Sequence, residues 1–424
     1  MGCSDSNTAE QLYNCNDRSM ILGENVGSVY SRGKEIQRVY SRGKLVWEKG
    51  EQGYSSIPFT VEAIDDTVSV SLPNTFRYSK NGGSWVNING GGSIDLVKND
   101  KVRITTTNTF NCKITGLSDI YGNIMSLIYG EKFIGQKVYP SNGYNGVDAD
   151  YIGFFSGSDI RNAENLILPA TTLSGYCYKG MFSNCTSLTT APNLPATTLS
   201  FNCYDSMFLG CSSLKIAPEL PATTLSDRCY MYMFSGCTSL TTAPNLPANI
   251  LTYRCYMYMF SDCTSLTTAP NLPATTLSNE CYMSMFSGCS SLKTAPNLPA
   301  TTLYSHCYDS MFYGCTSLTT APNLPATTLS AYCYHRMFYG CTSLTTAPEL
   351  KASELIDRCY ERMFSNCTSL TYIKCHATSY IYDNVNYWTY GIKTNGTLKC
   401  KKYYGDASPL EDYIPSTWTV EYFT

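Results

Sequence analysis

Cysteine recurs at positions 177, 203, 229, 255, 281, 307, 333 and 359, and a second series runs through 185, 211, 237, 263, 289, 315, 341 and 367. Both series keep a period of 26 residues. A unit this short cannot enclose a core by itself, so it must bury its apolar face against its neighbours, and a row of such units stacks into a solenoid. The shared pattern is C-Y-x-x-M-F-x-x-C-[TS]-S-L-x-x-x-x-x-L-x-A, usually continuing into T-T-L. Sixteen of the 21 cysteines belong to it, which accounts for the cysteine excess without redox chemistry.

Within one unit, Cys203, Met207 and Cys211 recur at i, i+4 and i+8, a spacing that predicts one face of a short helix with Tyr204 and Phe208 beside it. Leu214 and Ala217 then fall near the start of a short strand that Pro218 ends. Pro221 bends the chain back and Leu225 returns to the core. One strand and one short helix per unit predict a mixed α/β leucine-rich-repeat solenoid. Stacked at the strand spacing of about 4.8 Å, the rungs span roughly 40 Å and align Cys, Met, Phe and Leu in internal ladders.

The units carry F-x-x-C-x-S-L, first as Phe182-Ser183-Asn184-Cys185-Thr186-Ser187-Leu188 and then in seven successors. In this the chain resembles the BspA-like leucine-rich repeats over about residues 155–375. The resemblance implies the repeat fold and, more loosely, a place among the surface and adhesion proteins of gut anaerobes or the structural genes of their phages and prophages. Two features depart from the family pattern. The units are longer than is usual there, and P-x-L-P-A-T-T-L replaces the customary I-P-x-S-V-T stretch.

Outside the array, residues 1–50 hold a ten-residue echo, Val29-Tyr30-Ser31-Arg32-Gly33-Lys34 and Val39-Tyr40-Ser41-Arg42-Gly43-Lys44, which predicts a small β-meander. A segment of this size is too small for a robust core and reads as a docking segment. Its end, Lys44-Leu45-Val46-Trp47-Glu48-Lys49, is similar to N-terminal segments of phage structural proteins from the same bacteria. Residues 51–115 alternate around the turn Asn81-Gly82-Gly83 and predict a small all-β sandwich, Ig-like in character. Residues 116–170 form a linker and N-terminal solenoid cap, with Phe155-Ser156-Gly157-Ser158 as a degenerate rung in which Ser158 stands where the array has Cys. The array proper occupies 171–375, and 376–424 read as the C-terminal cap.

With 30 Lys+Arg against 33 Asp+Glu and no basic run, nucleic acid is not an expected partner. No apolar stretch approaches the ~18–20 residues of a membrane span, so no membrane insertion is expected. Met1–Ser6 shows no secretory signal, which predicts folding in a reducing cytosol with free thiols, although Cys3 leaves a lipidated cysteine as the alternative. C-x7-C spacing with almost no His does not suit a metal, so no metal or other cofactor is expected and the ladder thiols read as small buried apolar groups. His306, His335 and His376 all read as surface residues, and none is placed as the base of a nucleophile. No catalytic residue, and no enzyme, is expected. Thr pairs such as Thr189-Thr190 and Thr241-Thr242 are expected to point to opposite faces, which argues against a flat threonine array of the ice-binding kind.

The contrast that bears on function lies between positions that repeat and positions that do not. Two pairs per unit vary: the residues before each first Cys, such as Asp227-Arg228, Tyr253-Arg254 and Ser305-His306, and those between Cys-Tyr and Met-Phe, such as Met231-Tyr232, Met257-Tyr258 and His335-Arg336. Tyr and Arg supply anchors for recognition at low entropy cost. Arg228, Met231, Tyr232, Tyr253, Arg254, Met257 and Tyr258 are expected to form an exposed amphipathic patch across consecutive rungs. The leading expectation is a virion appendage protein, in a head or tail fibre of a gut-bacterial phage. It would attach to other virion proteins through residues 1–50, form a homo-oligomer, and bind a host-surface glycan or protein through the solenoid. The alternative is a bacterial cell-surface adhesin or lipoprotein.

Overall fold

The computed structural model describes residues 53–107, 111–137, 153–378, 382–402 and 410–423, together with the backbone of six short strands ahead of them. Those strands are β1 (Gln11–Asn14), β2 (Ser19–Leu22), β3 (Val29–Ser31), β4 (Lys34–Ile36), β5 (Arg38–Ser41) and β6 (Lys44–Glu48). They pair as three separate antiparallel ribbons, β1–β2, β3–β4 and β5–β6, rather than as one meander. The ten-residue echo shows in the register, with Ser31 opposite Lys34 and Ser41 opposite Lys44.

The β-rich region that follows contains β7 (Thr60–Ala63), β8 (Val68–Leu72), β9 (Phe76–Lys80), β10 (Val86–Ile88), β11 (Gly92–Leu96), β12 (Lys101–Thr106), β13 (Lys113–Thr115) and β14 (Ser118–Asn123). One sheet runs β10-β9-β12-β7-β14 and the other β11-β8-β13. Alternation places Val68, Val70 and Leu72 of β8 in the same core as Phe59, Val61, Phe76 and Ile104. Asn81 and Gly82 both have positive φ, 53° and 74°, which is what the tight turn after β9 demands.

The first sheet does not stop at β14. It continues in parallel into β15 (Ile160–Asn162), with β16 (Leu166–Ile167) also on β14, and a two-pronged Arg161–Asp119 contact at 2.9 and 2.6 Å locks the junction. Asn162 in turn bridges Thr190 of the first repeat. Ser158 is buried here and its hydroxyl accepts the Ile114 N–H at 3.0 Å, a bond for which a thiol is a poor acceptor. Phe155 stacks on Phe182 at 5.5 Å, starting the phenylalanine column.

The repeats contain neither the helix nor the strand expected of each unit. Among the described residues the α-helices are α1 (Ser126–Tyr129) and α2 (Tyr382–Val385), both outside the array. The segment from Cys229 to Cys237 is a run of overlapping turns. Cys229, Met231, Met233, Ser235 and Cys237 each donate an N–H to the carbonyl three residues back, at 3.1–3.4 Å. The residues between them, Arg228, Tyr230, Tyr232, Phe234 and Gly236, donate instead to Tyr253, Cys255, Met257, Met259 and Ser261 of the next rung at 2.8–3.0 Å. Every second turn has its third residue in the left-handed region: Arg228 (φ 57°), Tyr232 (54°) and Gly236 (73°). A right-handed helix cannot absorb such residues, so the i, i+4, i+8 spacing has a different origin. It is a four-residue repeat of turns.

The result for packing is a set of straight columns. Cys, Tyr, Met, Phe, Cys and Leu are buried in every rung, and the phenylalanines from Phe182 to Phe364 stack at 5.5–5.7 Å with interplanar angles of 3–11°. On the other wall, prolines remove backbone donors and only isolated parallel bridges remain, such as Ile216–Thr242 and Thr294–Thr320. Both threonines of Thr241-Thr242 and of Thr267-Thr268 are exposed. The expectation that such pairs split between two faces therefore fails, because an extended strand with its two-residue alternation does not form there.

The array runs on beyond residue 375. β17 (Tyr372–Cys375), β18 (Thr397–Lys401) and β19 (Thr419–Phe423) are parallel neighbours, and the repeat shortens from 26 residues to 25 and then 22, read from Tyr372 opposite Thr397 and Thr397 opposite Thr419. Trp388, fully buried, takes the methionine slot and its carbonyl accepts the Phe364 N–H at 2.7 Å.

Candidate interaction face

The turn wall presents its variable residues in register. All seven residues singled out from sequence lie on it, and all are half-buried rather than exposed. Their lower exposure follows from stacking: each side chain is covered on one side by its counterpart one rung away. Tyr232 and Tyr258 lie parallel at 4.7 Å with an interplanar angle of 5°. The Arg254 guanidinium sits 4.7 Å above the Tyr253 ring and Arg228 lies 5.4 Å from the same ring. Arg254 Nε also donates to Glu280 at 2.8 Å. Met231 and Met257 occupy equivalent sites between these groups, and Met283 repeats the position in the next rung.

Electrostatics tie the patch together. Burial pushes the Tyr232 phenol up from its ordinary value, Tyr258 and Asp205 push the same way, and Arg254 opposes them. The Glu280 carboxylate raises the Arg254 guanidinium further. The pair thus carries an aromatic stack, thioethers and a cation held by a neighbouring acid.

A second cluster on this wall was not anticipated. Asp309, 4% exposed, accepts from Nδ1 of His306 at 2.8 Å and Nδ1 of His335 at 3.0 Å, and from Ser310 Oγ at 2.7 Å. His306 stacks on Tyr332 at 4.5 Å. Burial works to raise the Asp309 carboxyl, but the bonds from the two imidazoles outweigh it and hold the group at about 2. The same slot four rungs earlier holds Asp205, compensated by Lys179 at 3.0 Å and bonded to Ser206. His306 and His335 are therefore partners of a buried acid, not free surface residues. His376 bonds Glu349 at 2.8 Å. The readable signal was the Asp-Ser pair at one fixed place in two units.

The cysteines among the described residues offer no reactive centre. All nineteen within the described residues are free and buried. Thiols of the second series each donate to the phenylalanine carbonyl of the rung before, at 3.0–3.2 Å, as Cys237 does to Phe208. Burial raises their thiols, Cys237 to about 12, so thiolate is absent at neutral pH. Among the described residues no three His, Cys, Asp or Glu side chains form a metal-holding group, and no helix is long and apolar enough to cross a membrane.

Left-handed backbone marks the wall throughout. In each complete unit the residue before the first Cys and the residue three after it have positive φ, as do Arg254, Tyr258, Glu280, Ser284, His306, Ser310, Tyr332, Arg336, Arg358 and Arg362. The third such position, just before the second Cys, holds only Asn184, Gly210, Gly236, Asp262, Gly288, Gly314, Gly340 and Asn366. Gly, Asn and Asp are the residues that tolerate this conformation, so that column was legible from sequence.

Comparison with known proteins agrees with the repeat geometry. The family profile of the BspA type leucine rich repeat region matches in six copies, over residues 148–267, 176–319, 230–345 and 257–393. No curated protein and no solved structure is significantly similar to the chain. With more than half its length covered by that profile and its rungs stacked in register, the chain belongs to the BspA-type leucine-rich-repeat family.

Proposed function

We propose that the protein is a non-enzymatic display protein of surface or adhesion type, whose stacked repeats form a solenoid that holds the variable residues of the turn wall out to a binding partner. The family assignment supports the coarse class. The observation that carries the reading is the choice of residue at two of the three left-handed positions. A non-Gly residue held there costs on the order of 1 kcal/mol, and Gly or Asn would relieve it. The third column uses Gly, Asn and Asp, whereas these two carry Arg, Tyr, His, Glu and Ser in most rungs. Strain retained at the two columns that vary, and avoided at the one that does not, is what a displayed surface requires.

The setting favoured by the first 50 residues is a virion appendage of a gut-bacterial phage, in a head or tail fibre, with that segment attaching the chain to other virion proteins and the assembly a homo-oligomer. Its ligand is a host-surface glycan or protein. A bacterial cell-surface adhesin or lipoprotein is the second reading, favoured by the repeat family itself. Replacing Tyr232, Tyr253 and Tyr258 together by Ser tests the display function in either setting. The fold, followed by circular dichroism and thermal unfolding, is expected to persist while assembly or adhesion to host cells weakens. Unchanged assembly and unchanged adhesion in a folded triple variant would refute it.

A further inference from the structure

The variable face changes character along its length. Rungs from Cys229 to Cys289 carry Met231, Met257 and Met283 with the Tyr232–Tyr258 stack, whereas the rungs from Cys307 to Cys367 carry Asp309-Ser310, His335-Arg336 and Glu361-Arg362 at the sites equivalent to Met231-Tyr232. There the slot three residues after the first Cys holds Arg336 and then Arg362, with φ of 51° and 53°. Two arginines thus occupy equivalent sites one rung, about 5 Å, apart. In the six preceding rungs the slot is Gly180, Ser206, Tyr232, Tyr258, Ser284 or Ser310, never a cation.

The two arginines are incompletely compensated. Arg362 approaches Glu361 at 3.7 Å, but Arg358 shares that carboxylate at 3.8 Å. Arg336 makes no ion pair within the described residues, and its Nε is buried without a hydrogen-bond partner. Leaving a buried charged donor unsatisfied is costly, and repulsion from Arg362 adds to the cost. An oxyanion seated between the two groups would remove both penalties, since guanidinium matches carboxylate and sulfate geometry with paired N–H donors.

The surroundings suit a polyhydroxylated carrier of that anion. Tyr313, itself exposed, stacks on the half-buried Tyr339 at 4.8 Å, Arg362 lies 5.5 Å over the exposed Tyr387, and Tyr387 meets Tyr390 edge-on. Because the stacked rings cover each other's faces, they leave no open apolar pocket for a peptide side chain, and their phenols can hydrogen-bond a hydroxyl-rich ligand. We propose that Arg336 and Arg362, flanked by these tyrosines, form a second ligand site on the variable face that binds the oxyanion of an acidic polysaccharide. The site deepens the display reading and rests on it, while its ligand chemistry is its own.

The test uses the full chain at physiological ionic strength, with polygalacturonate as the carboxylate probe, dextran sulfate as the sulfate probe, neutral dextran as the blank and polyglutamate as the protein-like polyanion. Binding to one or both acidic polysaccharides is expected, and the arm that binds identifies the anion. The double variant Arg336→Gln, Arg362→Gln is expected to lose about tenfold or more in affinity, because each guanidinium would supply charge-assisted bonds. The double variant Lys215→Gln, Lys293→Gln, at exposed sites on the threonine–proline wall, is expected to bind as the parent does. Absence of binding to either acidic polysaccharide, equal loss in both variants, or preference for polyglutamate would each overturn the proposal. Loss of host adhesion with intact polysaccharide binding, or the reverse, separates failure of this site from failure of the display reading.

Discussion

The two walls of the repeat stack are built from the same 26-residue unit and behave oppositely. On the turn wall nearly every backbone N–H between Arg228 and Cys237 is hydrogen-bonded, alternately within the rung and to the next. Its surface residues differ from rung to rung. On the threonine–proline wall the ladder is reduced to isolated bridges, yet its surface repeats almost unchanged as T-T-A-P-N-L-P-A-T-T. Sequence freedom therefore goes with backbone over-determination. Where main-chain bonds and buried Cys, Tyr, Met and Phe columns fix the path, the side chains at the variable positions are not needed to define it. Where few main-chain bonds hold the path, side chains and proline must define it, and they are constrained accordingly.

The sharpest way to break this contrast is to attack the core of the turn wall. Met259→Ala or Phe260→Ala removes fully buried volume from a middle rung and is expected to cost about 2–5 kcal/mol. Thr267→Ala on the opposite wall, an exposed site, is expected to change stability by less than about 0.5 kcal/mol. Hydrogen exchange should place the core damage in the rungs adjoining Met259, since each contacts only its neighbours. Equal costs on the two walls, or loss of protection reaching into the β-rich region, would contradict the division.

A smaller effect is expected from the buried acid on the turn wall. The folded-state Asp309 is held at about 2, below its ordinary value of 3.8. A depressed carboxyl stabilises the fold above its unfolded value and loses that contribution as pH falls toward the folded one. Between about pH 4 and pH 2 the parent should therefore lose about 2 kcal/mol that Asp309→Asn does not. Denaturant titrations of both proteins across that window measure the difference. Parallel curves would show that the His306 and His335 contacts do not stabilise the charged form.

Much of the core was legible in the sequence because it depends on period alone. The columns of Cys203, Met207, Phe208 and Cys211 and the stacking of rungs follow from a 26-residue repeat whatever the local backbone does. The local backbone was misread for the same reason. Spacing at i, i+4 and i+8 fits a helix face and a run of four-residue turns equally well, and only the Gly, Asn and Asp before each second Cys distinguish them. The structure brings the residues of the variable patch together, but their half-burial was not legible, since the depth of Tyr232 depends on ring stacking one rung away. Asp309 escaped notice because its partners His306 and His335 come from two different rungs and meet only when these stack.

The smallest effect is the most direct check on the left-handed column that separates turn from helix. Gly314 has a φ of 69°, and a Cβ added there would meet nothing closer than Gly288 N at 4.0 Å. Steric crowding is thus absent, and any penalty must come from the backbone conformation itself. Gly314→Ala is expected to lower stability by about 1 kcal/mol, the cost of placing an ordinary residue in that region. Gly314→Asn should cost less, because Asn184 and Asn366 occupy the same slot in other rungs with φ of 57° and 60°. If the segment were helical, the order would invert, since Ala is the best helix former and Gly and Asn are poor ones. Chemical denaturation of the three proteins therefore reads the backbone class from the sign of a single difference: Ala below both Gly and Asn for stacked turns, Ala above both for a helix.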